Sequence, residues 1–303
     1  MKRQPGGFAL ILVIWSLMML ASLATGFAYA VRHETRSSGD LAAIAHAEAA
    51  SEAALRIAVL ALSASDQDRR WHADGREHKV PWPGAEVTLR VHSESGRIDL
   101  NRAPRPLLIG LFQQVLPEAD LDLLADALLD WRDRDERPRE NGAERPDYER
   151  AGYGYGPSNR PFSSVHELSQ VLGFDRDKVE ALTPYLTVYG RRPRINAISA
   201  TPVVVAAAPG ISRTEAEEFT AYRDAALAAG QVPSYDALSN AGKHFETREH
   251  HQIFSIESKI SLADGLTLRE RSVVQVRPGR HYQVMAREVT PPPAPRPDME
   301  EAR

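Results

Sequence analysis

The feature that most constrains this chain is an uninterrupted apolar stretch near its N-terminus. From Phe8 to Val31 no residue is charged, and most are large and apolar. As a helix this stretch would extend for roughly 36 Å, more than the apolar core of a bilayer at about 30 Å. Lys2 and Arg3 precede it, so the positive-inside rule predicts that residues beyond Arg32 lie outside the cytoplasm. The sequence therefore predicts a single-pass helix over residues 8–31 that contacts membrane lipid.

A cleavable secretory signal is the competing interpretation of this stretch. Such signals have an apolar region of about 7 to 15 residues that ends at a small-x-small site. The stretch here is longer, but Ala28-Tyr29-Ala30 does provide a site of that kind. A mature chain that begins near Val31 would support this alternative.

The helix is predicted to continue well beyond the apolar stretch. Between Leu41 and Leu62 the sequence is rich in alanine, and leucine and isoleucine at helical spacing form an apolar stripe. Residues 32–65 are therefore predicted to form the periplasmic half of one very long helix.

Alternating apolar residues predict an antiparallel sheet in two separate parts. Val87, Leu89 and Val91 alternate with polar residues in the first part, residues 66–100. The second part, residues 251–289, contains the hairpin signal Asp264-Gly265. The predicted fold class is α+β, with a long N-terminal helix, an antiparallel sheet and a large, mostly α-helical inserted domain. That insert covers residues 101–250, and the proline-rich residues 290–303 are predicted to be a disordered tail.

Several sequence strings resemble one known family. The chain begins with a short basic leader that ends in Gly6-Gly7, and four further strings lie in or beside the insert. They are IDLNRAP at 98–104, DWRDRDERPRENGAE at 130–144, YGYGPSNRPFSSVHEL at 153–168 and INAISATPVVVAAAPGI at 195–211. Together they resemble the K-type minor pseudopilins of type II secretion systems, whose fold is a pilin-like helix and sheet that carries a helical domain.

The resemblance implies a structural subunit and no catalysis. A prepilin peptidase would remove the leader, residues 1–7, between Gly7 and Phe8, and would methylate the new amine of Phe8. The processed chain would sit in the bacterial inner membrane, with its C-terminal domains in the periplasm. It would form the tip of a pseudopilus with minor pseudopilins I and J above the major pseudopilin, and support the export of folded proteins.

One position departs from the general pilin pattern. Pilins generally carry glutamate at the fifth position of the processed chain, and here that position is Leu12. A charged side chain in a bilayer costs at least about 2.5 to 3.5 kcal/mol unless it is paired. A terminal subunit, with no neighbouring amine to pair with, gains by omitting the charge. Leucine at this position would also be ordinary in a simple anchor helix. The bulky insert is the feature that favours a position at the tip.

A helix-hairpin-helix module is the rival interpretation of the insert. Residues 195–223 resemble such a unit, and residues 162–182 resemble a weaker second copy. These modules often bind DNA, which makes a membrane-tethered DNA-binding or uptake protein the alternative function. Phosphate binding requires nearby Lys or Arg, whereas acidic residues follow the hairpin at Pro209-Gly210 and the net charge is -4. We therefore expect hairpins that pack against protein, and no nucleic-acid partner.

The loop from Arg132 to Pro161 is a candidate metal site. Its region offers six hard oxygen donors of the kind that calcium prefers: Asp130, Asp133, Asp135, Glu144, Asp147 and Asn159. The spacing does not match an EF-hand, and the interleaved arginines favour a solvated, salt-bridged loop when the residues are considered alone.

The family resemblance implies calcium in this loop. Under that implication the expected ligands are Asp133, Asp135 and Glu144, followed by Asn159. A metal-dependent hydrolase that uses the same acidic residues is a third alternative, but the loop has no recognisable general base or open-site pattern. The chain has no cysteine, which excludes disulfides and thiolate zinc sites.

Overall fold

The structure is a computed structural model that describes most of the chain. The described residues are 6–64, 66, 70–247, 252–277 and 281–290, and within them the side chains of 6–10, 28–38, 239, 240 and 290 are not described. The predicted disordered tail, apart from the backbone of Thr290, lies outside the described residues.

A single helix, α1 (Gly6–Leu62), forms the N-terminal part of the chain and is 57 residues long. Its alanine-rich half packs on a sheet, mainly on β2 (Ala85–Ser93), β7 (Ile253–Leu262) and β8 (Thr267–Arg277). Ala47, Ala50, Ala54 and Ala58 are each at most 1% exposed, because small side chains allow the helix to approach the strands closely.

Among the residues that the structure describes, no helix has an apolar segment with the length and hydropathy that a membrane crossing requires. The span predicted over residues 8–31 is therefore not confirmed.

The sheet has five antiparallel strands in the order β1-β2-β7-β8-β9, where β1 is Asp74–Trp82 and β9 is His281–Thr290. Val87, Leu89 and Ile260 are at most 1% exposed beneath α1, as their alternation predicts. We call α1 and this sheet the body. A long helix with an antiparallel sheet confirms the mixed fold class.

The insert joins β2 to β7 and contains six α-helices among its described residues. They are α2 (Arg105–Val115), α3 (Leu121–Arg132), α4 (Arg145–Arg150), α5 (Arg176–Leu182), α6 (Pro202–Ala206) and α7 (Arg213–Ala228). Four strands of two residues also occur: β3 (Ile98–Asp99), β4 (Leu186–Thr187), β5 (Ile195–Asn196) and β6 (Phe245–Glu246). The insert buries its own apolar core, separate from the core of the body.

Two successive units make up the insert. In each, a short opening strand pairs in parallel with a short closing strand, β3 with β4 and β5 with β6. The predicted helix-hairpin-helix repeats are not confirmed. The segment before α5 is a 3₁₀ helix (Val165–Gln170), and α6 has five residues.

The 3₁₀ turn Glu94–Gly96 connects the body to both units. The Glu94 carboxylate accepts a hydrogen bond from the Thr187 hydroxyl of the first unit. Asn196 of the second unit donates from Nδ2 to Ser95 Oγ over 3.2 Å. A Cβ at Gly96 would lie 2.5 Å from the Ser199 carbonyl oxygen, so a larger residue could not occupy this position without a backbone shift.

Candidate metal centre

Helix α3 places two acidic side chains, Asp126 and Asp130, one turn apart, and both fix the loop that follows. Asp130 is fully buried, and its Oδ2 accepts hydrogen bonds from the backbone N–H groups of Arg139 (3.1 Å) and Ala143 (3.0 Å). Its Oδ1 accepts from the Arg139 guanidinium. A Cβ at Gly142 would overlap this carboxylate, so glycine is required there.

Asp126 has a similar structural role. It accepts hydrogen bonds from Arg105 Nε at 2.6 Å and from the Asn141 side chain at 3.2 Å. Asp147, another of the six predicted oxygen donors, accepts from the Glu144 backbone N–H at 2.8 Å. Asp130 and Asp147 therefore satisfy donors of the protein itself, and they are poor candidates for metal ligands.

Four other side-chain oxygens in the loop region are buried and lack a hydrogen-bond partner. They are Asp133 Oδ1, Glu144 Oε1, Ser158 Oγ and Asn159 Oδ1. Buried polar atoms without a partner are uncommon, and an absent ion is one of the explanations for them. Three of these atoms belong to predicted ligands, Asp133, Glu144 and Asn159. Ser158 was missed by sequence reasoning, because a hydroxyl beside an asparagine is not by itself a metal signal.

The electrostatics of Glu144 also favour a cation. Its side chain is 3% exposed, and burial raises its pKa to about 7, with a further contribution from the negative charges of Asp130, Asp133, Asp135 and Glu136. A bound divalent ion would invert this effect and favour the ionised carboxylate.

The backbone brings the far end of the loop back to Glu144. A Cβ at Gly156 would lie 2.9 Å from Arg145 Cβ, at the start of α4. The rings of Tyr148 and Tyr155 are 5.8 Å apart, which ties α4 to the segment before Ser158. Asn159 has a φ of 49°, an uncommon left-handed conformation for a residue other than glycine.

Asp135 differs from the other predicted ligands. It is exposed, and its Oδ1 accepts from the Arg137 backbone N–H at 3.0 Å. Asp133 also has one occupied oxygen, because Arg139 donates to its Oδ2 at 2.5 Å.

Within the described part of the chain, no three His, Cys, Asp or Glu side chains are grouped to hold a metal. The four unpartnered atoms, from two carboxylates, one amide and one hydroxyl, are hard oxygen donors of the kind that calcium prefers, and calcium in this loop remains a prediction.

The predicted processing site lies in α1. Gly7 and Phe8 have helical backbone, and the Phe8 side chain lies outside the described set. Leu12 is 56% exposed. Cleavage and methylation remain predictions.

The two hairpins that suggested DNA binding are capped by their own side chains. At the start of α7, Ser212 Oγ accepts from the Glu215 N–H at 3.2 Å, and Glu215 accepts from the Ser212 N–H at 2.8 Å. At the start of α5, Asp175 accepts from the Lys178 N–H at 2.9 Å. A phosphate would have to displace these side chains, which argues against the nucleic-acid alternative.

Three comparisons with known proteins agree with one another. A family model for type II secretion system protein K matches residues 92–191, which include the whole acidic loop. The type II secretion system protein K of Klebsiella pneumoniae is 31% identical over 133 residues. That alignment spans 42% of this chain and 40% of the length of the relative.

The fold also matches a solved structure. A chain in the crystal structure of the GspK-GspI-GspJ complex from the enterotoxigenic Escherichia coli type 2 secretion system superposes with a TM-score of 0.64. The match covers 85% of this chain and 99% of that chain at 18% identity. The family model over residues 92–191 and the Klebsiella relative therefore confirm the resemblance to protein K of type II secretion systems, and the solved chain shares the fold.

Proposed function

We propose that this chain is a structural minor pseudopilin at the tip of the type II secretion pseudopilus, where it supports pseudopilus assembly and the export of folded proteins from the periplasm. The observation that carries the proposal is the insert, which is built on the Glu94–Gly96 turn at one end of the body sheet. Pilin-like subunits stack through their long helices and bodies, and a head of this size would obstruct a subunit placed above it.

The exposed apolar side chains of α1 support anchoring in the inner membrane. Eleven large apolar residues between positions 11 and 27 are at least 46% exposed: Ile11, Leu12, Val13, Ile14, Trp15, Leu17, Met18, Met19, Leu20, Leu23 and Phe27. A continuous apolar surface of this kind requires lipid or neighbouring helices. In this proposal the prepilin peptidase cleaves between Gly7 and Phe8, and Leu12 carries no charge because no subunit lies beyond it.

The proposed partners are minor pseudopilins I and J and the major pseudopilin. Support comes from the solved chain with the same fold, whose structure is that of a GspK-GspI-GspJ complex.

The tip position can be tested by electron microscopy. A short epitope placed after Gly230, beside the 90% exposed Val232, would label the insert without touching its core. Gold label at one end of isolated pseudopili is expected. Label along the shaft, or failure of the full chain to co-purify with I and J while the tagged chain remains folded, would contradict the proposal.

Calcium is the proposed ion of the acidic loop, with Asp133, Glu144 and Asn159 as ligands and with Ser158 or backbone carbonyls completing the shell. Asp135 would have to turn inward to take part. Bound calcium would neutralise the clustered carboxylates. These residues would then hold three segments of the loop together: the end of α3, the start of α4 and the segment around Asn159.

Thermal unfolding with calcium or a chelator tests this site. An ion present at 100 times its dissociation constant stabilises the folded state by about 2.7 kcal/mol. We expect the stabilisation to be lost in Glu144→Gln. It should be retained in the control Asp122→Asn, whose carboxylate is 61% exposed on α3 and pairs with Arg105. An unchanged melting temperature with and without calcium in the parent protein would refute the site.

A further inference from the structure

A cleft of about 370 Å³ opens where the body meets the two units of the insert. The sheet contributes Glu257 and Arg271 to its lining, the first unit contributes Tyr185 and the second unit contributes Ser199. Arg97, in the connection between the Glu94–Gly96 turn and β3, lines it as well. We call it the junction cleft. A ligand held there would contact all three parts of the molecule.

Three hydrogen-bond donors that line the junction cleft have no acceptor among the described residues. They are Arg97 Nη1, Ser199 Oγ and Arg271 Nε, and each of these atoms is buried. The Arg97 side chain is only 10% exposed. Because buried polar atoms usually have a partner, three such donors around one cleft point to a ligand that accepts hydrogen bonds.

Glu94, which is 1% exposed, pairs with both arginines but satisfies neither. Its Oε1 lies 3.3 Å from Arg97 Nη1 and 3.5 Å from Arg271 Nη2, and neither contact has the geometry of a hydrogen bond. Its Oε2 accepts from the Thr187 hydroxyl. One carboxylate oxygen is therefore shared between two guanidinium groups, and each group keeps a buried N–H that can donate to a further acceptor.

The charges that line the cleft favour an anionic acceptor. Among the described lining residues, Arg97 and Arg271 are cations and Glu257 is an anion. Burial, assisted by the charge of Arg97, lowers the pKa of His92, so this lining residue is largely uncharged at neutral pH. Burial also lowers the pKa of Arg97, because Glu94 does not fully replace the hydration that the guanidinium loses. The lining therefore carries an excess of one positive charge.

We propose that the junction cleft binds a carboxylate group, which accepts hydrogen bonds from Arg97, Arg271 and Ser199. A guanidinium matches a carboxylate well, because its N–H groups donate charge-assisted hydrogen bonds in the plane of the carboxylate. Glu257 disfavours ligands with two or more negative charges, such as phosphate. The carboxylate can belong to a free small acid or to an acidic side chain of a partner protein, and the chemistry is the same in both cases.

A carboxylate at this position would bridge the body and the insert. Arg271 belongs to β8 of the sheet, whereas Ser199 belongs to the second unit. The Gly96 turn already brings the Ser199 backbone close to the body. Occupancy of the cleft would therefore add a polar link between the insert and the sheet on which it is built.

Saturation-transfer NMR on the methyl signal of acetate tests the site, with the full chain in detergent. We expect acetate to bind, and its uncharged isostere acetamide not to bind. Ser199→Ala removes one donor to a charged ligand and should weaken acetate binding about tenfold or more. Arg97→Gln should abolish detectable binding.

Two matched controls should bind acetate as the parent chain does. Ser169→Ala removes an exposed hydroxyl elsewhere in the insert, and Arg90→Gln removes a cation of the sheet that pairs with Glu77 at 3.2 Å. Equal binding of acetate and acetamide would overturn the proposal, and so would unchanged acetate binding in Ser199→Ala. The comparison with Ser199→Ala decides the matter even if Arg97→Gln does not fold.

The same measurement on the assembly with the proposed partners I and J distinguishes the two sources of the carboxylate. Acetate binding that persists in the assembly indicates a free acid. Acetate binding that is lost there, together with weaker assembly of Arg97→Gln, indicates an acidic side chain of a partner. This comparison rests on the proposed function, whereas the measurements on the chain alone do not, so the two can fail separately.

Discussion

The body and the insert satisfy the hydrogen-bonding groups of their backbones in different ways. In the body, strands of 9 to 11 residues satisfy the backbone through regular pairing, and the buried side chains beneath α1 are mostly apolar. In the insert, strands have two residues, so much of the loop backbone has no strand partner. Buried polar side chains take over that role.

Three side chains illustrate the difference within the insert. Arg132 donates to the carbonyl oxygens of Leu100 and Ala103, the latter at 2.6 Å. Asp99 accepts from the Arg191 N–H at 2.7 Å. Arg223 donates to the Ala200 carbonyl at 2.6 Å. The stability of the body should therefore respond most to lost apolar volume, and that of the insert to lost hydrogen-bonding groups.

The largest expected effect is in the body. Leu89→Ala removes a fully buried side chain between β2 and α1, and should lower the free energy of unfolding by about 3–5 kcal/mol. Chemical denaturation measures this loss in the free energy of unfolding, and calorimetry provides a second measurement. Glu77→Gln, which changes an exposed carboxylate on the other face, is the control and should cost under about 1 kcal/mol. A loss no larger than that of the control would show that the core of the body does not govern its stability.

A smaller loss is expected from a polar change in the insert. Asp130→Ala leaves the Arg139 and Ala143 N–H groups without their acceptor, and should cost about 2–3 kcal/mol. Calorimetry should show the shift in the unfolding of the insert. The matched control is Asp122→Ala, on the same helix. If Asp130→Ala and Asp122→Ala behave alike, loop anchoring by buried carboxylates is not what stabilises the insert.

The smallest expected effect is a pH dependence confined to the calcium-free insert. The folded-state pKa of Glu144 is raised to about 7 from an ordinary value of 4.5. The folded state therefore binds the Glu144 proton more tightly than the unfolded state does. The stability that this difference contributes is fully present below about pH 4.5 and is lost as pH rises through 7. With chelator the melting temperature should fall between pH 5 and 8, and this fall should be smaller in Glu144→Gln. Calcium should flatten the dependence, and an equal fall in the variant would exclude Glu144 as its source.

Sequence patterns predicted the body well because its structure is periodic. Alternation through Val87, Leu89 and Val91 identified a strand, and alanine-rich spacing identified the helix that covers it. In the insert, the same approach suggested helix-hairpin-helix repeats. Short strands such as Ile195–Asn196 are too brief to show a period, and their partners are distant in the chain.

The sequence alone determined the mixed fold class and the acidic character of one loop, because these depend on local composition and spacing. Only the tertiary structure decided which oxygens of that loop are free. Asp130 and Asp147 are occupied by backbone donors, whereas Glu144 and Asn159 each keep one buried oxygen without a partner. Lys259 and Arg269 likewise come to lie opposite each other only because β7 and β8 pair in this register. The physical reason is that hydrogen bonds and charges are matched between segments that are distant in the chain. A local sequence pattern does not show which distant segment supplies the partner.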